Sequence, residues 1–409
     1  MKESCRIGLI CVGLLLMGCG DSNHSHGEDG EHTHGTEESS AHSHDGHDHD
    51  SHDHGEEGHS HESHDHSGHD HGEEKPYVGT MHYEKEVHLK NVKQLTFGGD
   101  NAEAYWSFDD KQLVFQANNP AWGTECDQIY IMDIDKPAKT KPQMVSTGEG
   151  RTTCSYFLKG NKSIVYASTH QGGENCPPSP ERRSDGKYVW PIYSTFDIYT
   201  ADLNGKILRK LTDEPGYDAE ATVSPQGDKI VFTSIRTGDL ELYTMNPDGS
   251  DVKQITKGLG YDGGAFFSPD GTKLIFRSSR PKTEADIKEY KDLLKEGLVQ
   301  PTEMELYICN VDGSNLKKIT DLGNANWAPF FHPSGKKVIF ASNHNSKRGF
   351  PFNLFMINVD GSGLEQITFD ETFDSFPMFS YDGKQLVFAS NRNNGGTRET
   401  NLFLADWVE

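Results

Sequence analysis

A pattern of four short alternating segments separated by turns recurs along most of this chain. In residues 208–249 apolar and polar residues alternate in four segments, and Pro, Gly and Asp cluster between the last three of them. Alternation with a period of two is typical of half-buried β-strands, and those residues favour turns. The stretch is therefore predicted to be a four-stranded antiparallel meander. One meander leaves an apolar face uncovered, so copies of it must pack together.

The meander occurs six times. Its outer strand ends in a Leu-Thr signature or a close variant, at positions 95–96, 145–146, 211–212, 255–256, 319–320 and 367–368. The first outer strand, residues 92–96, precedes the first inner strand, and the sixth unit ends at LFLADW without an outer strand. We therefore predict an all-β, six-bladed β-propeller with four-stranded antiparallel blades. Pairing of strand 92–96 with residues 401–407 closes the ring and removes its exposed edge.

The repeats resemble those of TolB-type propellers. The shared pattern is Leu-Thr, a turn of the Ser-Pro-Asp-Gly type such as FFSPDGT at 266–272, then Phe-x-Ser and an Asp-Gly turn. The match covers residues 92–407. It implies a monomeric TolB-like propeller that docks envelope proteins or peptides in the periplasm. The separate N-terminal α/β domain of TolB has no counterpart in residues 20–91.

The N-terminus is predicted to be a lipoprotein signal peptide, residues 1–18. Lys2 and Arg6 precede an apolar stretch, Ile7–Met17, that is too short to span a bilayer stably. The sequence Leu-Met-Gly-Cys that follows resembles the lipobox of bacterial lipoproteins. We expect lipid on Cys19 and a membrane-anchored location in the bacterial envelope, periplasmic or surface-facing. An ordinary signal or anchor with a chance cysteine is the alternative.

Residues 19–75 are predicted to be a disordered tether. They contain almost no apolar side chains, so they cannot form a core. Histidine pairs of the His-x-His type suit divalent metals such as Zn²⁺ or Ni²⁺. The alternative is an acidic spacer that lifts the propeller off the membrane. The predicted metal ligands are His24, His26, His32, His34, His42, His44, His47, His49, His52, His54, His59, His61, His64, His66, His69 and His71.

Residues 76–91 form a lead-in to the propeller, residues 92–409. The chain has a net charge of −24, and residues 20–75 hold 17 acidic residues against one lysine. No basic tract is present, so nucleic acid is not expected as a partner. Cys309 falls in a strand and is predicted to be a buried thiol. Cys126, Cys154 and Cys176 map to one face of two adjacent blades, so one disulfide is expected, with Cys126 paired to either of the others.

The blade register predicts a ring of polar side chains at one channel mouth. Such a ring could bind a cation, an anionic ligand or a peptide terminus. The alternative is that each basic residue braces its own strand end to an acidic neighbour. The positively charged or neutral members are Asn119, His170, Arg236, Arg280, His344 and Arg392. The mainly acidic members, at the start of the innermost strands, are Glu103, Asp218, Glu220, Asp262, Asn326 and Asp374.

Two insertions depart from the repeat, at residues 170–195 and 281–301. In the second, Thr283 is predicted to cap a helix with Asp286, and Gly297 to end it. We expect the insertions either to discriminate between partners or to cover the channel.

Motifs of zinc proteases and serine hydrolases are absent. The sequence therefore favours a non-catalytic docking module for protein or peptide partners on a metal-binding tether. One alternative is a propeller hydrolase or lyase, with His170 and His344 at the channel mouth, or the accessory module of a secreted peptidase. The other is a zinc or nickel acquisition or buffering lipoprotein.

Overall fold

The computed structural model describes residues 79–136, 140–347 and 349–409. The predicted signal peptide, Cys19, the histidine pairs and the tether lie outside the described residues. No helix in the described part is long and apolar enough to cross a bilayer.

The described residues form six four-stranded antiparallel sheets, the blades. Strand β1 (Leu89–Gln94) precedes them. Blade one contains β2 (Asp100–Trp106), β3 (Gln112–Asn118), β4 (Gln128–Asp133) and β5 (Gln143–Met144). Blade two contains β6 (Thr152–Phe157), β7 (Ser163–Ser168), β9 (Asp197–Asp202) and β10 (Ile207–Lys210), with β8 (Trp190–Pro191) in its insertion. Blade three contains β11 (Asp218–Val223), β12 (Ile230–Ser234), β13 (Glu241–Met245) and β14 (Lys253–Gln254).

The remaining blades follow the same plan. Blade four contains β15 (Asp262–Phe267), β16 (Lys273–Ser278), β18 (Glu305–Asn310) and β19 (Lys317–Lys318), with α1 (Glu284–Lys295) and β17 (Leu298–Val299) in its insertion. Blade five contains β20 (Asn326–Phe331), β21 (Lys337–Ser342), β22 (Asn353–Asn358) and β23 (Glu365–Gln366). Blade six contains β24 (Asp374–Phe379), β25 (Gln385–Ser390) and β26 (Asn401–Trp407), and β1 is its outer strand.

The predicted six-bladed propeller and its closure are confirmed. Strand β1 pairs antiparallel with β26, from Leu89 opposite Trp407 to Gln94 opposite Phe403. The strand begins before the predicted 92–96 segment and contains an irregularity between Lys90 and Lys93. Every sheet edge at the junction is thereby covered, as a closed ring requires.

The Leu-Thr signature has a structural cause. In each blade the hydroxyl of its Thr, or Ser146 in blade one, accepts a hydrogen bond from the third strand's backbone N–H, at 2.8 to 3.0 Å. In the closing blade Thr96 accepts from Leu402 at 2.8 Å. The hydroxyl satisfies a buried donor where the short outer strand ends, which explains why the residue recurs.

The two insertions meet over the disc. Strands β8 and β17 form a two-stranded antiparallel sheet, with Trp190 opposite Val299. Helix α1 begins with the predicted capping box, in which the Thr283 hydroxyl accepts from the Asp286 backbone at 3.1 Å. Arg183 binds Glu296 at 2.8 Å, which ties the first insertion to the end of the helix. The insertions therefore act as one unit.

Candidate functional site in the central channel

Each innermost strand contains a β-bulge at the same position. The register with the second strand shifts there in every blade, for example between Ala102 and Tyr105 in blade one. The backbone φ at the bulge is positive, between 44° and 59°. A bulge adds one unpaired residue and re-aims its side chain. The bulge residues of blades one to six are Glu103, Cys154, Glu220, Gly264, Ala328 and Phe376.

The six bulge residues line one cavity in the central channel, of about 60 Å³. Non-glycine residues held at positive φ are strained, and such strain concentrates at binding sites. Aromatic rings form much of the wall; the Tyr105 ring centroid lies 5.9 Å from that of Phe266. Trp190 of the first insertion packs 5.3 Å from Trp327 and covers the cavity. The volume is sufficient for a few water molecules or a ligand of a few non-hydrogen atoms.

A buried ion pair joins blades three and four at this cavity. The guanidinium of Arg277 contacts the carboxylate of Glu220 and donates to the Tyr261 hydroxyl at 2.6 Å. Glu220 also accepts from Tyr261 at 2.7 Å, from Thr233 at 2.6 Å and from the Gly264 backbone at 3.0 Å. Burial opposes the charge of Glu220, but Arg277 and these hydrogen bonds outweigh it and lower its pKa.

Gly264 allows this arrangement. A Cβ atom built on Gly264 would lie 1.8 Å from Nη1 of Arg277. Arg277, from the second strand of blade four, thus occupies the space that the bulge side chain fills in other blades. The guanidinium carbon also stacks over Trp190 at 5.3 Å and Tyr261 at 5.1 Å from the ring centroids.

Glu103 is the second carboxyl group in the cavity. It accepts a hydrogen bond from the backbone N–H of Cys154 at 3.2 Å. Burial is the main cause that raises its pKa, to about 7, and the charge of Glu220 adds to the effect. The Cys154 thiol is free and buried, and burial raises its pKa well above the ordinary value. Glu103 is thus a buried carboxyl group that titrates near neutrality.

The predicted channel-mouth ring consists largely of pairs within single blades. Arg236 binds Asp218 at 3.1 Å in blade three, and Arg280 donates to Asp262 at 2.8 Å in blade four. Each pair ties the end of a second strand to the start of its innermost strand. None of these four residues lines the cavity. The geometry of these two pairs matches the bracing alternative, whereas Glu103 and Glu220 differ because a bulge turns each of them into the channel.

In blade six the equivalent pair is covered by the lead-in. Arg392 binds Asp374 at 3.0 Å and also Glu86 at 2.9 Å, and all three side chains are fully buried. Tyr83 stacks on the guanidinium, 5.3 Å from centroid to carbon, and donates to Asp370 at 2.6 Å. The lead-in therefore reinforces the closing blade.

The remaining ring members also serve their own blades. The ring of His170 packs 4.4 Å from Tyr199, and that of His344 packs 4.6 Å from Phe355. Burial lowers the pKa of both histidines. Asn119 caps a short 3₁₀ turn, Pro120–Trp122, and Asn326 accepts from the hydroxyl of Ser342 at 2.7 Å. Neither histidine lines the cavity, and within the described ranges no group of three His, Cys, Asp or Glu could hold a metal ion.

The cysteines separate into two classes. Cys126 and Cys176 form a disulfide with a Cα separation of 6.0 Å, one of the two pairings expected for Cys126. It anchors the first insertion to blade one. Cys154 stays free because its bulge turns it into the channel, and Cys309 is a buried free thiol.

Comparison with known proteins agrees with this architecture. The model of the TolB β-propeller domain matches residues 192–289. The match covers less than half of the chain and shows TolB-type propeller repeats in that segment. The matched segment runs from the end of the first insertion through blade three into the second insertion. It includes part of the cavity wall, among it Glu220, Gly264 and Arg277. No curated protein matches the chain in sequence.

Several solved structures are similar at low identity. A TolB structure from Acinetobacter baumannii is 19% identical, with a TM-score of 0.49, 74% of this chain covered and 65% of that one. An Agrobacterium tumefaciens structure described as TolB is 19% identical, with a TM-score of 0.46 and coverages of 76% and 91%. An oligogalacturonate lyase from Vibrio parahaemolyticus is 13% identical, with a TM-score of 0.43 and coverages of 78% and 94%. None of these similarities assigns an activity to this propeller.

Proposed function

We propose that this protein is a lipid-anchored binding protein of the bacterial envelope that docks a protein or peptide partner on the face carrying the two insertions. The observation that carries the proposal is an open groove of about 870 Å³ between them. The insertions are the parts of the chain that depart from the blade repeat. A binding surface built from them would be individual to this protein, whereas the blades are a common scaffold.

The groove, which we call the insertion groove, suits an extended peptide. Pro178, Tyr193 and Leu298 supply apolar surface, and Arg182 is an exposed cation at its edge. Apolar surface combined with a few polar or charged groups is typical of ligand-binding pockets. The groove is pre-formed, because Ile192 donates to the Gly297 carbonyl at 2.7 Å across its base.

Site-specific photo-cross-linking in intact cells tests the docking face. A photoreactive residue replaces Arg182 in the insertion groove or, as the matched control, exposed Lys317 on the outer strand of blade four. We expect one discrete adduct from position 182 and none from position 317. Adducts of equal yield from both positions, or from 317 alone, would contradict docking in the groove.

The lipid anchor has its own test. Cys19→Ser removes the proposed acylated thiol. We expect labelled palmitate to be incorporated into the native chain and lost in the variant, with the variant leaving the membrane fraction. Labelling that persists in Cys19→Ser would refute the anchor without affecting the docking proposal.

Metal buffering by the tether is a second candidate function, favoured by the eight His-x-His pairs. Imidazole suits Zn²⁺ and Ni²⁺, and two or more pairs can supply the ligands of one ion. Calorimetric titration of the full chain with Zn²⁺ should show binding that disappears when residues 20–75 are deleted. Zinc binding weaker than millimolar, or equal in both chains, would remove this function. Normal growth of the deletion strain under zinc limitation would also count against it.

A further inference from the structure

The charges in the central cavity are not balanced. Glu220 and Arg277 neutralise each other, whereas Glu103 forms no ion pair within the part of the chain that the structure describes. Besides that pair, the titratable groups that interact with Glu103 are the neutral Cys154 and Tyr105. The ionised cavity therefore carries one net negative charge, and burial makes an uncompensated charge costly.

The walls of the cavity suit a cation. Faces of Tyr, Trp and Phe rings attract ammonium groups, most strongly where water is excluded. Arg277 already stacks on Trp190 and Tyr261. The rings of Tyr105, Trp327 and Phe376 also line the space. In addition, Nε of Arg277 is buried and has no hydrogen-bond partner among the described residues, so it can donate to a ligand oxygen.

We propose that the cavity binds a small primary ammonium ion, held by the carboxylate of Glu103 and the surrounding aromatic rings. A monocation restores neutrality, and its N–H groups satisfy the carboxylate. Two carboxyl groups disfavour an anion. The volume of about 60 Å³ limits a free ligand to a few non-hydrogen atoms. The cavity and the insertion groove share Pro191, Ile192 and Tyr217 in their walls, but Glu103 lines the cavity alone. Experiments on Glu103 therefore test the cavity without testing docking in the groove.

The ammonium group could belong to a free amine or to the amino terminus of a peptide. Calorimetry on the full chain separates these sources with three probes: ethylammonium chloride, triglycine and N-acetyl-triglycine. Binding of ethylammonium alone indicates a free amine, and binding of triglycine but not its acetylated form indicates a peptide terminus. Either supports the ammonium site, whereas no binding of either up to tens of millimolar overturns it.

Two further measurements test the role of Glu103. Glu103→Gln keeps the shape and removes the charge, and we expect at least tenfold weaker binding; Glu149→Gln, at an exposed carboxyl group, is the matched control and should bind as the native chain does. Tetramethylammonium lacks N–H donors and should not bind. Equal binding in Glu103→Gln, or equal binding of tetramethylammonium, would overturn the proposal.

A pH series on the native chain keeps the test valid should Glu103→Gln fail to fold. Of the titratable groups around Glu103 in the cavity, the pKa of Glu220 is lowered and the pKa values of Tyr105, Cys154, Tyr261 and Arg277 are raised. Only Glu103, with a pKa of about 7, titrates near neutrality. Binding should be at least about tenfold tighter near pH 8 than near pH 5.5. Affinity that is equal at both pH values, or higher at the lower one, would contradict the site.

Titration with ethanolamine tests whether Arg277 contacts the ligand. Its hydroxyl oxygen can accept from the unpartnered Nε, so we expect it to bind more tightly than ethylammonium. Weaker binding of ethanolamine would contradict a contact between Arg277 and the ligand.

Discussion

The channel-mouth ring, here called the rim, and the central channel both contain arginine–carboxylate pairs, but the pairs have different roles in the two places. At the rim, Arg236 and Asp218 belong to one blade, and the arginine side chain is 17% exposed. In the channel, Arg277 and Glu220 belong to adjacent blades, and both side chains are 9% exposed. A rim pair fixes a strand end, whereas the channel pair shapes a cavity. The same residue types thus serve bracing or binding, depending on whether a bulge turns them inward.

Replacement of Arg392 tests how much the most buried ion pair of the rim contributes to stability. Replacing it with Met leaves the carboxylates of Glu86 and Asp374 buried without a cation. Breaking a buried pair on one side typically costs about 3 to 5 kcal/mol. We expect the free energy of unfolding of Arg392→Met to fall by that amount in chemical denaturation. A loss no greater than that of Arg236→Met would show that burial by the lead-in has no energetic consequence.

The pH dependence of stability tests whether Glu103 is a buried, unpaired carboxyl group in the channel. Its pKa is raised in the folded chain from an ordinary 4.5 to about 7, so the folded state binds more protons than the unfolded state between these values. Stability from this group is therefore present below pH 4.5 and lost as the pH rises through 7. Relative to the native chain, Glu103→Gln should gain on the order of 3 kcal/mol between pH 4.5 and pH 8. Denaturation curves at both pH values check this, with Glu149→Gln as control; a constant difference would disprove the buried charge.

Gly264 tests whether Arg277 needs the space beside it. Gly264→Ala places a methyl group against the guanidinium at a positive φ of 59°. Overpacking of this kind costs about 1 to 3 kcal/mol beyond the backbone strain. Gly238→Ala is the matched control, since φ there is also positive, 89°, and nothing lies within 4 Å of its added Cβ. Thermal denaturation should show the larger loss for Gly264→Ala, and equal losses would contradict the packing argument.

The smallest effect on stability is expected for the rim pair Arg236–Asp218, which the lead-in does not cover. Arg236→Met and Asp218→Asn, combined in a double-mutant cycle, should give a coupling energy of about 1 kcal/mol, because the Arg236 side chain is partly solvated. Neither change should alter ethylammonium binding. A change in that binding in either variant would place the rim in the ligand site.

Much of the scaffold could be predicted because its signals are local. Alternation, turn residues and the Leu-Thr signature each lie within a few positions, and Thr96 shows that the same signature also identifies the closing strand. The capping box of α1 is equally local. The role of the channel-mouth ring was harder to predict. The alignment of the blades shows which side chains lie at a strand end, but not whether they pair within one blade.

The binding site could not be predicted from such signals. A bulge shifts one residue out of register, and the alternation at Glu220 looks like that of an ordinary strand. Pro329 and Pro377, each one residue after the bulge in an innermost strand, were the available hint, because a proline is tolerated in a central strand at a bulge. The pairing of β8 with β17 joins segments about a hundred residues apart, which no local pattern reports.

The repeat by itself determined the number of blades, their strand order and the closure of the ring, because each copy carries an apolar face that only an adjacent copy can cover. Tertiary structure alone decided that Arg277 occupies the space beside Gly264. It also decided that Glu103 has no cationic partner among the described residues, and that Trp190 of the first insertion covers the cavity. These outcomes depend on contacts between blades, where residues distant in sequence compete for the same small volume.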